Sequence, residues 1–154
     1  FKKKFKEAKF FFRGKIILVK NVPNMGWNDY RYQYECCLYG WKGKHKFYGG
    51  RNQTNVWQFD RDAVNKYLHP TQKPVALAER AIKNSSKRSD IILDLFGGSG
   101  STLIACEKLN RRCYMMEIEP LYCQVIVDRW EKFTGKKAIK LNEKEQVEKR
   151  EIQN

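Results

Sequence analysis

LDLFGGSGST, residues 93–102, passes from apolar residues around one acidic residue into three glycines interrupted by Ser99, and then into Ser101 and Thr102. The run leading into it, SDIILDL at 89–95, has a short continuous apolar centre, Ile91–Leu93, ending in an acidic residue, as in a strand buried in a parallel sheet. Residues 101–109 follow with Leu103, Ile104 and Leu109 at helical spacing. A glycine turn between a parallel strand and a helix is where an α/β sheet binds a nucleotide-like ligand, because glycine lets backbone approach closely and the helix start offers unpaired N–H groups. An isolated GGSG is equally a common tight loop, and alone it leaves both readings open.

Outward from this turn the pattern alternates. Upstream, Pro74 at a first helical position opens VALAERAIK, with Val75, Ala78 and Ile82 on one face. Downstream, RCYMMEI at 112–118 reads as a second buried strand, and Pro120 starts a helix that Gly135 ends. KAIKL, 137–141, reads as a last short strand. Helix and strand in alternation predict a parallel sheet covered on both faces. Glu117 falls 23 positions after Asp94, where a carboxylate can accept both hydroxyls of a ribose.

Departures from other nucleotide motifs narrow the ligand. A dinucleotide fingerprint wants a third glycine where Leu103 stands, and a phosphate-binding loop wants Gly-Lys-Ser/Thr. No Lys or Arg lies between Arg88 and Lys108, which disfavours a phosphate-rich ligand. An adenosine carrying a small zwitterion fits better, with Asp94 near its amino group and cation.

The front of the chain differs in character. Residues 1–12 put Phe1, Phe5 and Ala8 at helical spacing between lysines, and KIILVKN at 15–21 reads as a strand. Pro23, Asn24, Gly26, Asn28 and Asp29 mark a loop. YRYQYECCLYG at 30–40 reads as a strand that pairs antiparallel with the first. Residues 40–68 interleave Gly, Lys, Asn and Arg with Trp41, Phe47, Tyr48, Trp57, Phe59 and Tyr67. Cations neutralise phosphates and rings stack on bases, so the mixture suits a nucleic-acid contact; it suits equally an irregular segment whose aromatics fill a small core.

The 154 residues carry a net charge of +14, and residues 1–50 hold 12 Lys and Arg against 3 Asp and Glu. Such a charge points to a polyanionic partner. The five cysteines, Cys36, Cys37, Cys106, Cys113 and Cys123, lack C-x-x-C spacing and read as reduced thiols of a cytoplasmic protein; two histidines suggest no zinc site. No run of apolar residues is long enough for a membrane span, and no export pattern is present. The chain begins at Phe1 rather than Met, as part of something longer or a processed product would. Residues 142–154 read as a charged, solvated tail.

Three ordered stretches, HPTQKP (69–74), LDLFGGSGST (93–102) and RRCYMMEIEP (111–120), resemble motifs X, I and II of amino-methylating DNA methyltransferases of the β arrangement. The resemblance covers about residues 10 to 140. It implies an α/β, Rossmann-like sheet of the S-adenosylmethionine-dependent methyltransferases, here incomplete, with a basic aromatic-rich insertion. Residues 1–141 would be a partial methyltransferase domain, with later strands and target-recognition elements in 1–68 and the cofactor-binding part in 69–141.

Carried over residue by residue, His69, Pro70, Thr71 and Lys73 would border the methionine end of the cofactor, with Lys73 or backbone groups meeting its carboxylate. Asp94, Phe96, Gly98, Ser99 and Gly100 would form the turn beneath it, and Glu117 would hold the ribose. YECCLYGWK resembles the family's motif VIII strand, so Tyr34, Tyr39 or Trp41 would line a pocket for a flipped base or serve as ordinary core aromatics.

The family's catalytic Asp/Asn/Ser-Pro-Pro-Tyr/Phe is missing: Pro23, Pro70, Pro74 and Pro120 are never adjacent, and NVPN at 21–24 lacks the second proline and the aromatic. The resemblance implies double-stranded DNA as partner, adenine as target ahead of cytosine, and a phage or restriction-modification setting. A missing amino-terminal half would supply the catalytic motif, and the exposed edges of an incomplete sheet invite pairing with another copy as a homodimer. The alternatives are a remnant that binds cofactor or nucleic acid without transferring a methyl group, and a methyltransferase of RNA or another substrate.

Overall fold

The computed structural model describes residues 2–23, 27, 29–59 and 73–141. Helix α1 spans Lys2–Glu7 and strand β1 spans Phe11–Val19. The helix expected over 1–12 is therefore shorter, for a visible reason. Lys9 turns into the left-handed region at φ 59°, and Phe10 and Phe12 fold back onto the Phe5 ring at centroid distances of 5.2 and 6.3 Å. β2, Tyr34–Trp41, pairs antiparallel with β1 as expected, from Val19 opposite Tyr34 to Phe11 opposite Trp41. A strand the sequence did not reveal, β3 at Val56–Gln58, adds to the other edge of β1 in parallel. Three residues are too few to show a periodicity.

The second half follows the expected alternation with trimmed ends. α2 is Val75–Ser85, with Pro74 one position earlier than expected, at its N-cap. β4 is Ile91–Asp94, α3 Ser101–Leu109, β5 Arg112–Met115 and α4 Pro120–Thr134. Pro120 at the first turn and Gly135 at φ 70° bound α4 as read from sequence. β4 and β5 pair in parallel across the α3 crossover. Ile92 and Cys113 point to one face, where Ile82 of α2 and Ala105 and Cys106 of α3 are buried.

Two expectations are corrected. The parallel sheet expected to be covered on both faces is, among the described residues, the pair β4-β5 packed on one face only, with Ile91, Leu93 and Tyr114 of its other face at least half exposed; β2-β1-β3 forms a second sheet. The strand expected over 137–141 is irregular chain, because the Ala138 N–H and the Lys137 ammonium both bond the Glu131 carboxylate at 2.8 and 2.7 Å, folding this segment onto the end of α4. A cavity of about 660 Å³ lies there, lined by Tyr114, Trp130 and Ile139 among others. All five cysteines are free. Among the described residues no helix is long and apolar enough to cross a membrane, and no group of His, Cys, Asp and Glu could hold a metal ion.

Candidate cofactor site

The site grows from the carboxyl ends of β4 and β5. Asp94 closes β4 with its side chain turned back, Oδ1 accepting the Phe96 N–H at 3.0 Å. Gly97 donates to the Met116 carbonyl at 2.8 Å and Gly100 to the Gly97 carbonyl at 2.9 Å, which closes the loop. Gly100 sits at φ 75° as the N-cap of α3, and a Cβ there would come within 3.2 Å of Ile126. At Gly97 a Cβ would meet the Met115 sulfur at 2.6 Å. Both positions need glycine, one for conformation and one for space.

Glu117 lies just past the end of β5. Its Oε2 accepts the Gly98 N–H at 2.7 Å, and its Oε1 accepts the Ile118 and Glu119 N–H groups at 2.9 and 3.0 Å. The carboxylate thus faces the glycine turn, held in place by its own loop. Phe96 and Ile118 stand beside it with 87% and 96% of their surface exposed. Two apolar side chains left in solvent at the loop positions next to a carboxylate are available to contact a flat heterocycle, while the carboxylate can accept hydroxyl hydrogens.

Beneath the turn, the Arg129 guanidinium on α4 donates from Nη1 to the Ser99 carbonyl at 2.7 Å and reaches the hydroxyls of Ser99 and Ser101 at 3.2 and 3.3 Å. Ser99 and Ser101 are themselves buried. Ser101 Oγ donates to the Lys73 carbonyl at 2.8 Å, tying the last described part of the hexapeptide to the start of α3.

The expected site residues divide as follows. Asp94, Phe96, Gly98, Ser99, Gly100 and Glu117 come together around one turn. Lys73 adjoins them through its backbone, but its ammonium is ion-paired with Glu35 on β2. His69, Pro70 and Thr71 lie outside the described residues. Glu35 also takes Lys20 at 2.5 Å. Burial alone would push the Glu35 carboxyl up, but hydrogen bonds from Lys20 and Lys73 outweigh it and hold it below the usual carboxylate range.

Ile118 and Arg129 went unread in the sequence. Ile118 could have been found as the residue following the acidic end of a strand; Arg129 carried no signal, since on a helix it reads as one more surface cation.

The Glu35–Lys73 ion pair also shows how the first sheet lies: the Val19–Tyr34 end of β1 and β2 is beside the cofactor turn. Of the three candidate base-pocket aromatics only Tyr34 lies at that end, T-shaped against Tyr32. The loop there also exposes Trp27 and Tyr30, at 106% and 90%. Tyr39 and Trp41 lie toward the opposite end. Within the 40–68 segment Trp57 belongs to the core: it is 6% exposed, donates to the Thr54 carbonyl at 2.8 Å and carries Arg80 over its ring at 4.7 Å.

Comparison with known proteins is consistent with this geometry. Residues 1–128 match a family model described as DNA methylase. Type II methyltransferase M.HpaI of Haemophilus parainfluenzae is 40% identical over 94 residues, 58% of this chain and 30% of that protein. Type II methyltransferase M2.MboI of Moraxella bovis is 31% identical over 130 residues, 73% of this chain and 46% of that protein. The chain therefore spans less than half the length of these relatives. Among solved structures, M1.HpyAVI in complex with SAM superposes with a TM-score of 0.69 at 32% identity, over 82% of this chain and 65% of that one. PvuII DNA methyltransferase, described as cytosine-N4-specific, shares the fold with a TM-score of 0.67 at 19% identity.

Proposed function

Because the chain belongs to the DNA methylase family, we propose that its β4–β5 turn binds S-adenosylmethionine and that the protein serves methyl transfer to an exocyclic amino group in double-stranded DNA, adenine ahead of cytosine. The observation that carries this reading is the Glu117 carboxylate accepting the Gly98 N–H across the glycine turn, with Phe96 and Ile118 left exposed in the same loops. When bound, the cofactor supplies an electrophilic methyl group on a sulfonium.

The chain's own residues do the rest. Glu117 accepts the ribose hydroxyls, exchanging its bond to Gly98 for them. Phe96 and Ile118 enclose the adenine. Asp94, whose Oδ1 is engaged by Phe96, offers its second oxygen to the cationic end. The hexapeptide from His69 to Lys73 is proposed to border the carboxylate, and Tyr34 to face the extruded base. Positioning and a matched field are the main work in such a transfer.

None of the four prolines is adjacent to another, so the acceptor-binding tetrapeptide of the family must come from outside these 154 residues if transfer is to occur. That fact favours, for these residues alone, a second reading in which cofactor and nucleic acid are bound without turnover.

Calorimetric titration with S-adenosylmethionine tests the first claim. Saturable binding that Glu117→Ala weakens at least tenfold is expected; equal binding by the variant overturns the site. Transfer of a labelled methyl group to duplex DNA, followed by nucleoside analysis, separates N6-methyladenine from N4-methylcytosine. Transfer to RNA alone would overturn the choice of substrate.

A further inference from the structure

The basic aromatic segment is not beside the cofactor turn. β1 runs from Phe11, opposite Trp41, to Val19, opposite Tyr34, and its nine residues place these ends about 26 Å apart. The Glu35–Lys73 ion pair shows that the Val19 end lies beside the turn. α2 runs the same way, with Val75 next to Lys73 and Asn84 accepting from the Tyr48 N–H at 2.7 Å at the far end. Segments 2–13 and 40–48 therefore converge at the opposite end of the sheet. Together they carry nine Lys and Arg and a single acidic residue, Glu7.

The rings there are ordered. Trp41 packs on Phe11 at 5.1 Å and on His45 at 3.9 Å and 30°, and His45 lies nearly parallel to Phe47 at 6.3 Å and 16°. Tyr39 Oη and His45 Nε2 are 3.1 Å apart, which fixes the imidazole in the array. Phe11 and Phe47 terminate it with 58% and 40% of their surface in solvent. Lys42, Lys44 and Lys46 alternate with these rings, all exposed, and no ion pair among the described residues engages them.

We propose that this end of the sheet is a second nucleic-acid surface, which holds a strand with unpaired bases by stacking them on Phe11 and Phe47 while Lys42, Lys44 and Lys46 meet its phosphates. It rests on the family reading only for the choice of nucleic acid over other polyanions. The inner Trp41–His45 pair lies 3.9 Å apart, near the ~3.4 Å rise of stacked bases, while the end rings Phe11 and Phe47 stand off at 5.1 and 6.3 Å and offer their exposed surface to a base. A lipid surface is the less apt partner: Phe5, the one apolar residue of α1, packs on Phe10 and Phe12, so the helix has no apolar face left to bury in a bilayer interface.

The test uses the 154-residue protein and a fluorescent single-stranded oligonucleotide, with affinity followed by polarisation across salt concentrations. Replacing Lys42, Lys44 and Lys46 by Gln is expected to lower the salt slope by about two units, at about 0.7 per single-strand phosphate contact. Phe47→Leu is expected to weaken binding about tenfold, toward the lower end of the range for one lost base stack. Lys132, Lys136 and Lys140 replaced by Gln remove the same charge elsewhere and should leave the slope within half a unit.

An equal drop in both triple variants, an unchanged Phe47→Leu, or anionic vesicles displacing the oligonucleotide would each overturn the proposal. Each variant is also titrated with S-adenosylmethionine, whose affinity should be unchanged. Loss of cofactor binding in the parent protein would fail the cofactor site and leave this surface's readout intact.

Discussion

Glu117 accepts three backbone N–H groups, from Gly98, Ile118 and Glu119. Glu117→Ala removes both the proposed ribose acceptor and the partner of Gly98, so cofactor affinity should fall by more than the ~1.5–3 kcal/mol typical of one charged hydrogen bond; calorimetry reads it directly. Gly100→Val forces a β-branched residue to φ 75° with its Cβ near Ile126, and should destabilise by about 2 kcal/mol or more, seen as a shifted denaturant midpoint. These two residues were legible because chemistry dictates their type: a carboxylate at a strand end, a glycine where φ is positive. Lys73 was legible as a member of its motif but not in its partner, since Glu35 is 38 positions away and only the fold joins them.

Elements hold the turn from two sides. Arg129 of α4 clasps Ser99 and Ser101, and Arg129→Met leaves those buried acceptors short of a donor. The expected cost is about 1–3 kcal/mol in denaturant unfolding, with cofactor affinity falling in step. From the other side, Glu35 joins β2 to Lys73. Its carboxyl is held below the ordinary value of 4.5, so the stability it contributes is complete above that pH and is lost as pH falls through the lowered folded value. Glu35→Gln should therefore flatten the acid limb of a stability profile measured between about pH 3 and pH 7. Pairing of β1 with β2 and the starts of α2 and α4 could be read from alternation and proline. β3 and the fate of residues 137–141 could not, because a three-residue edge strand and a segment captured by Glu131 are decided by contacts that no local pattern encodes.

Across the whole molecule, charge and apolar surface are unevenly spread. One face of the β4–β5 sheet is buried under α2 and α3, while Ile91, Leu93, Leu95, Tyr114 and Met116 on the other are each at least half exposed. β2 and β4 each have one edge without a strand partner among the described residues. Such a face should bind the dye ANS at neutral pH and promote self-association. Leu93→Gln with Tyr114→Thr is expected to lower both, with the Ile82–Cys106 core untouched; undiminished dye fluorescence would place the binding elsewhere. Sequence composition located the cations and rings correctly in number, but it could not show that the two ends of β1 divide them into a group near the turn and a group about 26 Å away.

The absence of room beside Gly97 has a consequence for oxidative conditions. The Met115 sulfur occupies the space a Cβ would need there, and one added oxygen on that sulfur would press against the floor of the turn. Mild peroxide should then depress cofactor affinity in proportion to sulfoxide at Met115, a methionine reductase should restore it, and Met115→Leu should be indifferent to both. The glycine turn would in that case register the redox state of its surroundings through a thioether that takes no part in binding.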